Sequence, residues 1–100
     1  MENLDLALFK PHEGTVFTLP TSEGEVDLQL ELESASDLTD HRPEEFRKGR
    51  PPFVLVFSCK TYSIPQGVYR LEHEVLDPVE IFLSPFEACE NGCRMESIFN

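Results

Sequence analysis

The residues best suited to chemistry stand together at His73, which lies between Glu72 and Glu74. A histidine beside a carboxylate is typical of a general base. Neighbouring side chains in a strand point to opposite faces, however, so adjacency in sequence does not make a catalytic pair. We therefore favour a structural histidine, half-buried and hydrogen-bonded to a neighbouring strand or loop. We predict no catalytic residue and no enzymatic activity.

The cysteines are the next candidates, and they number three: Cys59, Cys89 and Cys93. Cys89 and Cys93 flank a Glu-Asn-Gly turn, whereas zinc ligands usually stand two residues apart and need a second pair elsewhere. We interpret this pair as two thiols across the mouth of a hairpin. A metal site and a cross-strand disulfide are the weaker alternatives, and we expect no metal and no cofactor.

The charge balance narrows the range of partners. Nineteen acidic residues stand against eight basic ones, which gives a net charge of −11. Nucleic-acid binders and proteins that dock on anionic membranes need the reverse balance, so we expect neither partner. The first residues are acidic where a secretory signal would be basic, and the longest apolar run is far too short to cross a bilayer. We expect a cytoplasmic protein.

Half of the basic residues lie in one short stretch, which is the only place where the sign of the charge reverses. A helix over residues 43–48 is predicted there, with Pro43 at its first position. One interpretation is a loop that docks a protein partner or a second copy of the chain. The other is that these bases neutralise the end of the helix and nearby acids. The residues of this predicted partner site are Arg42, Phe46, Arg47, Lys48 and Arg50.

The elements that must position these residues are mostly strands. Residues 26–33 alternate apolar and polar side chains, which predicts a strand with one buried face. Turn residues separate further short apolar runs, which is typical of an antiparallel all-β unit. We predict one mostly-β domain over residues 1–100, as a six-stranded barrel or sandwich with a short helix over residues 3–9 capped by Asn3. The predicted strands are 15–19, 26–33, 53–57, 67–73, 79–84 and 94–99.

One predicted strand has no polar face. Residues 53–57 read Phe-Val-Leu-Val-Phe, so we expect this strand to be covered on both sides, with the N-terminal helix as the second cover.

Several short motifs resemble a family of short bacterial proteins of unknown function. The most specific is the string Pro-Gln-Gly-x-Tyr-x-Leu-Glu-His over residues 65–73, and the weaker ones include the closing Phe99-Asn100. The resemblance implies a compact, mostly-β domain without an established activity. It also implies a link to phage-tail-like structures, because genes of some members lie near tail genes. It supplies no catalytic residue.

Two functions follow as hypotheses. The leading one is a non-enzymatic protein-interaction or assembly module, whose partner the sequence does not identify and which a homo-oligomer would also satisfy. The alternative is a small-ligand-binding β-barrel with its site at Tyr69, Arg70 and His73. Eight phenylalanines favour an interior filled by side chains, which counts against a ligand inside the barrel.

Overall fold

The chain folds into a six-stranded antiparallel sheet preceded by a short helix, as the sequence predicts. The structure is a computed structural model that describes residues 5–20, 27–38, 52–60, 64–89 and 92–99, with only the backbone at 88 and 89. Helix α1 runs over Leu6–Phe9 and continues into a 3₁₀ turn over Lys10–His12. The strands are β1 (Val16–Leu19), β2 (Leu28–Asp37), β3 (Phe53–Cys59), β4 (Gly67–Leu71), β5 (Val79–Cys89) and β6 (Gly92–Phe99).

The sheet curls into a nearly closed barrel, which settles the choice between barrel and sandwich. Its strand order is β1-β2-β3-β6-β5-β4. The two outermost strands of that order meet at one residue pair. There the Thr18 N–H donates to the Glu72 carbonyl at 2.7 Å, and the Glu72 N–H donates to the Thr18 carbonyl at 2.8 Å. We call this line, where β1 meets the end of β4, the seam.

Side chains fill the interior of the barrel. Alternate residues of each strand point inward because successive side chains leave a strand on opposite faces. In β3 the odd-numbered residues are buried and the even-numbered ones are half-exposed. The largest fully buried side chains are Phe9, Phe17, Leu30, Leu32, Phe53, Leu55, Phe57, Leu71, Leu83 and Met95.

A β-bulge extends β2 beyond its predicted end. Leu32 pairs with Phe57 and Ser34 with Val56, so Glu33 is the extra residue. Before the bulge the even-numbered side chains point inward, and after it the odd-numbered ones do, so Ala35 is buried. The alternation therefore breaks after residue 33 although the strand continues to Asp37.

A second bulge carries β5 past its predicted end at residue 84. The pairing with β6 passes from Pro85 opposite Met95 to Glu87 opposite Arg94, and Phe86 is the extra residue. Proline lacks a backbone N–H and is tolerated within sheets mainly at edges and bulges. The bulge thus allows the strand to continue through Pro85 to Cys89.

The N-terminal helix is shorter than predicted, because it begins after Asp5. The Asp5 side chain accepts a hydrogen bond from the Leu8 N–H at 3.0 Å and so caps the helix. Asn3, the predicted cap, and residues 43–48, the predicted loop helix, lie outside the described residues. Among the residues described, no helix has the length and apolar character needed to cross a membrane.

The inner face of β3 is buried, and its outer face is partly covered. Phe9 of α1 packs at ring-centroid distances of 6.2 Å from Phe53 and 6.3 Å from Phe99, so α1 adds to the core. Val54 and Val56, on the outer face of β3, are half-exposed. The outer apolar face of β3 is therefore partly covered and not fully buried.

Candidate functional site

A groove lies at the seam. It has a volume of about 650 Å³ and is lined by residues 14–16 and 72–74 together with Thr18. It forms because β1 and the end of β4 exchange backbone hydrogen bonds only at Thr18 and Glu72 within the described part of the chain. The groove therefore brings His73 to the surface of the barrel beside two acidic neighbours.

The hydrogen bonds of His73 assign its tautomer. Its Nδ1 accepts from the backbone N–H of Val75 at 3.0 Å and of Leu76 at 3.2 Å, so this nitrogen carries no proton. The proton is then on Nε2, which donates to the Thr15 hydroxyl oxygen at 2.9 Å. That hydroxyl in turn donates to the His12 carbonyl at 2.6 Å. One neutral imidazole thus ties the turn after β4 to the segment before β1.

The surroundings of His73 favour its neutral form. Burial lowers the pKa of His73 first, because a charged imidazolium would lose hydration. The charge of His12, whose ring centroid lies 4.9 Å away, lowers it further, and Glu74 acts in the opposite direction. Phe17 packs at 4.6 Å on the same ring. Both nitrogens are engaged in hydrogen bonds that suit a positioned neutral histidine.

The structure separates the three residues of the predicted ligand site. Tyr69 lies half-buried against the core, and its hydroxyl donates to the Pro65 carbonyl. Arg70 is exposed on the outer face, opposite Glu80 of β5. His73 lies beyond the end of β4, at the seam. These side chains do not converge on one space, and only His73 lines the groove.

Exposed apolar side chains form a row across the outside of the barrel. Val68 of β4 is directly opposite Phe82 of β5, and Ile98 of β6 is directly opposite Val54 of β3. Val68, Phe82 and Ile98 are 66%, 50% and 52% exposed.

The two pairs lie beyond the same end of the β5–β6 ladder, which begins at Ser84 opposite Glu96. Ser84 pairs with Glu96, and Phe82 and Ile98 each stand two residues farther in the same direction. We call Val54, Ile98, Phe82 and Val68 the outer apolar row. The apolar sequence of residues 53–57 was one indication of this row. The strand pairing that places its other residues could not be predicted from the sequence.

Sequence reasoning missed a charged cluster at the two bulges. Arg94 donates through Nε and one terminal nitrogen to Glu33, at 3.1 and 2.8 Å, and through the other terminal nitrogen to Glu87 at 3.0 Å. Its guanidinium lies 5.5 Å from the centroid of the Phe86 ring. These hydrogen bonds raise the pKa of Arg94, with the bond to Glu87 contributing most. The cluster joins three strands on the outer surface.

The predicted partner site lies outside the described residues. The chain leaves the described part after Leu38 and returns at Pro52, where the Leu38 N–H donates to the Pro52 carbonyl at 2.9 Å. This end of β2 and β3 is also the end that carries Val54 of the outer apolar row. The residues concerned are Arg42, Phe46, Arg47, Lys48 and Arg50.

Cys89 and Cys93 lie on the two neighbouring strands β5 and β6, one register position apart. Cys89 is opposite Gly92 in the register of β5 and β6, and Cys93 is opposite Ala88. Across the other edge of β6, Cys93 is directly opposite Cys59 of β3. Within the described ranges, no three His, Cys, Asp or Glu side chains come close enough together to hold a metal ion.

Comparison with known proteins gives one match. A family model described as a domain of unknown function, DUF6916, matches residues 4–99. No curated protein and no solved structure matches the chain.

Proposed function

This chain belongs to that family of domains of unknown function, and we propose that it works as a non-enzymatic protein-interaction or assembly module. The outer apolar row is the observation that carries this proposal. A filled interior leaves the barrel surface as the place for binding, and the row brings to that surface two cross-strand apolar pairs, in which Val68, Phe82 and Ile98 are exposed. Contiguous exposed apolar side chains of this kind are typical of protein docking surfaces.

The charge around the row indicates the chemistry of the partner. Glu80 and Glu96 lie on the same outer face as the row, one on each side of it along the strands, and Arg70 is directly opposite Glu80. Two described bases already contact carboxylates: Arg94 binds Glu33 and Glu87, and Lys10 binds Glu13. A protein surface with apolar side chains ringed by lysine and arginine suits this face. A second copy suits it less, because each copy carries a net charge of −11.

The sequence-based partner site remains part of the proposal as a second contact. In the sequence, Arg42, Phe46, Arg47, Lys48 and Arg50 follow the end of β2 and precede the start of β3. We also propose that the protein is bacterial and cytoplasmic and that it is linked to phage-tail-like structures, as the sequence and the family resemblance imply. The loop is tested separately from the row by replacing Arg47, Lys48 and Arg50 with Glu and measuring binding of the partner.

Two phenylalanines of β5 provide a matched test. Phe82 belongs to the row, whereas Phe86 lies in the bulge under Arg94, and their exposed fractions are similar. A photo-crosslinking amino acid is placed at position 82 or 86 in the full chain, expressed in its native host. Captured proteins are identified, purified and titrated against the wild type, Phe82→Glu and Phe86→Glu by calorimetry at several salt concentrations.

We expect one protein to be captured at position 82 and not at position 86. Its affinity should fall at least about tenfold with Phe82→Glu, stay unchanged with Phe86→Glu, and weaken as salt rises. Replacing Glu80 and Glu96 by Gln should reduce that salt dependence. Equal capture at both positions, cross-links only between copies of the chain, or equal loss with both variants would overturn the proposal.

The seam groove supports the alternative function, a small-ligand-binding barrel. It is lined by His73 and is large enough for a small molecule, since ligand pockets typically measure about 300–1,000 Å³. Of the residues predicted for this function, His73 lies in the groove, while Tyr69 and Arg70 do not. Native mass spectrometry of the chain purified from its host tests it. A bound small molecule that disappears with His73→Ala would favour this alternative.

We also propose that the string over residues 65–73 is a signature of the family, because its residues build the seam side of the barrel. The Pro65 carbonyl accepts a hydrogen bond from the Tyr69 hydroxyl, and Leu71 is buried in the core. Glu72 forms the closing pair with Thr18, and His73 binds the turn that follows. If residues 65–73 are randomised and functional variants are selected, these variants should retain Leu71 and His73 and should tolerate other residues at the exposed positions Val68 and Arg70.

A further inference from the structure

Cys59 and Cys93 stand directly opposite each other on neighbouring strands. They are the last pair of the β3–β6 register, counted from Phe53, and both point into the barrel. Cys59 is 3% exposed and Cys93 is 2% exposed. Both are thiols rather than halves of a disulfide. Neither the proposed docking surface nor the seam groove uses them.

The geometry of an antiparallel pair suits a disulfide. Directly opposite residues have their Cβ atoms about 4.5–5.5 Å apart, and a disulfide needs a Cβ separation of about 3.5–4.5 Å. Only a small approach of the two strands is required. Gly92 keeps β6 close to β3 at this point, because a Cβ at position 92 would overlap the carbonyl oxygen of Cys59. The site is therefore arranged for a bond that the reduced chain does not contain.

We propose that Cys59 and Cys93 form a reversible cross-strand disulfide when the chain meets an oxidant of the small-disulfide class, such as oxidised glutathione. One cysteine attacks the oxidant as a thiolate and forms a mixed disulfide, which releases one small thiol. The second cysteine then attacks that mixed disulfide, which releases the second small thiol. The two cysteines lose two protons and two electrons in total, and the oxidant is reduced to two thiols.

The position of the pair gives the oxidant a route. Cys59 is the last residue of β3 and Cys93 the second residue of β6, so both lie at the end of the ladder. Strand ends open locally at a lower free energy than the centre of a sheet. The bond would then fix this end of β3 to β6, closing a loop from residue 59 to residue 93. This makes Cys59 and Cys93 a redox-sensitive site between β3 and β6.

The register favours Cys59 over Cys89 as the partner of Cys93. Cys89 is aligned with Gly92, one position away from Cys93, whereas Cys59 is aligned with Cys93 itself. Cys89 is thus a built-in control, since it lies near the pair in the sheet without being aligned with either member.

The test uses the full chain, folded and without denaturant, incubated with oxidised glutathione. Intact-mass spectrometry and non-reducing peptide mapping are applied to the wild type, Cys59→Ser, Cys93→Ser and Cys89→Ser. Circular dichroism checks that each variant is folded, and Ala replaces Ser wherever the Ser variant is not. Urea unfolding is then measured before and after oxidation, and again after dithiothreitol.

We expect a 59–93 disulfide in the wild type and in Cys89→Ser, and none in the other two variants. Oxidation should raise the urea midpoint of the wild type, and dithiothreitol should reverse the rise, because the bond constrains the unfolded chain. A disulfide that includes Cys89, linkage only between chains, or two singly glutathionylated cysteines in the folded wild type would overturn the proposal. The proposal would also be overturned if the folded wild type stays fully reduced and the oxidant forms the disulfide only when the chain is unfolded in urea.

Discussion

The wall formed by β3 and β6 and the seam between β1 and β4 hold the barrel together in different ways. The wall is paired residue by residue, from Phe53 opposite Phe99 to Cys59 opposite Cys93. The seam has the one backbone pair of Thr18 with Glu72 and the side-chain bond of His73. The wall therefore depends on many apolar contacts, whereas the seam depends on a few polar groups whose protonation matters.

The same two regions carry the two candidate functions. The outside of the wall presents Val54 and Ile98 of the outer apolar row, a surface suited to a protein. The seam presents a polar groove beside His73, a space suited to a small molecule. Changes that separate wall from seam consequently also separate these functions.

The largest effect is expected in the wall. Phe57 is fully buried, opposite Met95, and its ring lies 5.5 Å from that of Phe17 in a T-shaped contact. Phe57→Ala should lower the free energy of unfolding by about 3–5 kcal/mol, because a large side chain is lost and a cavity remains. Denaturant titration measures this. Phe86→Ala, at an exposed ring, is the control and should cost less than about 1 kcal/mol; equal costs would contradict the account.

A smaller effect is expected at the seam. His73→Ala removes the acceptor for the N–H groups of Val75 and Leu76 and the donor to Thr15. The free energy of unfolding should fall by about 1–2 kcal/mol, since these groups can turn to water. Hydrogen exchange should rise at Val75, Leu76 and Thr18 and remain unchanged in β3. Loss of protection in the wall before the seam would show that the seam is not the weaker region.

Acidification should affect the seam selectively. The lowered pKa of His73 means that the unfolded chain, with a histidine pKa near about 6.5, binds the proton more readily than the folded chain. The stabilisation is thus complete above about pH 6.5 and is lost as the pH falls through the folded-state pKa. Urea unfolding between about pH 7.5 and 5.5 should show this decline, above the range where most carboxylates titrate.

The control for the pH series is His73→Gln, which cannot be protonated in this range. It should have a flatter dependence of stability on pH than the wild type, and His12→Gln should retain most of the decline. An unchanged slope in His73→Gln would assign the decline to other groups.

The smallest effect on stability is expected in the outer apolar row. Val68 and Phe82 are directly opposite each other on neighbouring strands, and both are exposed. Val68→Ser with Phe82→Ser should change the free energy of unfolding by less than about 1 kcal/mol, the size of a cross-strand contact. The same variant should abolish capture of the partner. A large loss of stability would instead make the row part of the fold.

Much of the fold could be predicted from the sequence, because period-two patterning and turn residues are local signals. Residues 26–33 showed the inward face of β2, and turn residues separated the later strands. The bulges at Glu33 and Phe86 could not be predicted, since each depends on the partner strand that opposes it. This is why the predicted strands stopped early at residues 33 and 84.

The candidate sites depend on contacts between distant parts of the chain, and the sequence showed less of them. His73 was singled out, but its bonds to Thr15 join residues far apart in sequence. The alignment of Cys59 with Cys93 likewise requires the β3–β6 register. The turn between Cys89 and Cys93 indicated a hairpin, but a turn alone does not determine which residues face each other in the register.

Hydroxyl-radical footprinting of Phe82 and Phe86 tests the docking surface most directly. The full chain is labelled in extract of its native host at its native level and, separately, after purification, with mass spectrometry as the readout. The account predicts that Phe82 is oxidised at least about threefold less in extract, whereas Phe86, similarly exposed, is oxidised equally in both. Equal oxidation of Phe82 in the two samples, or equal protection of both rings, would contradict it.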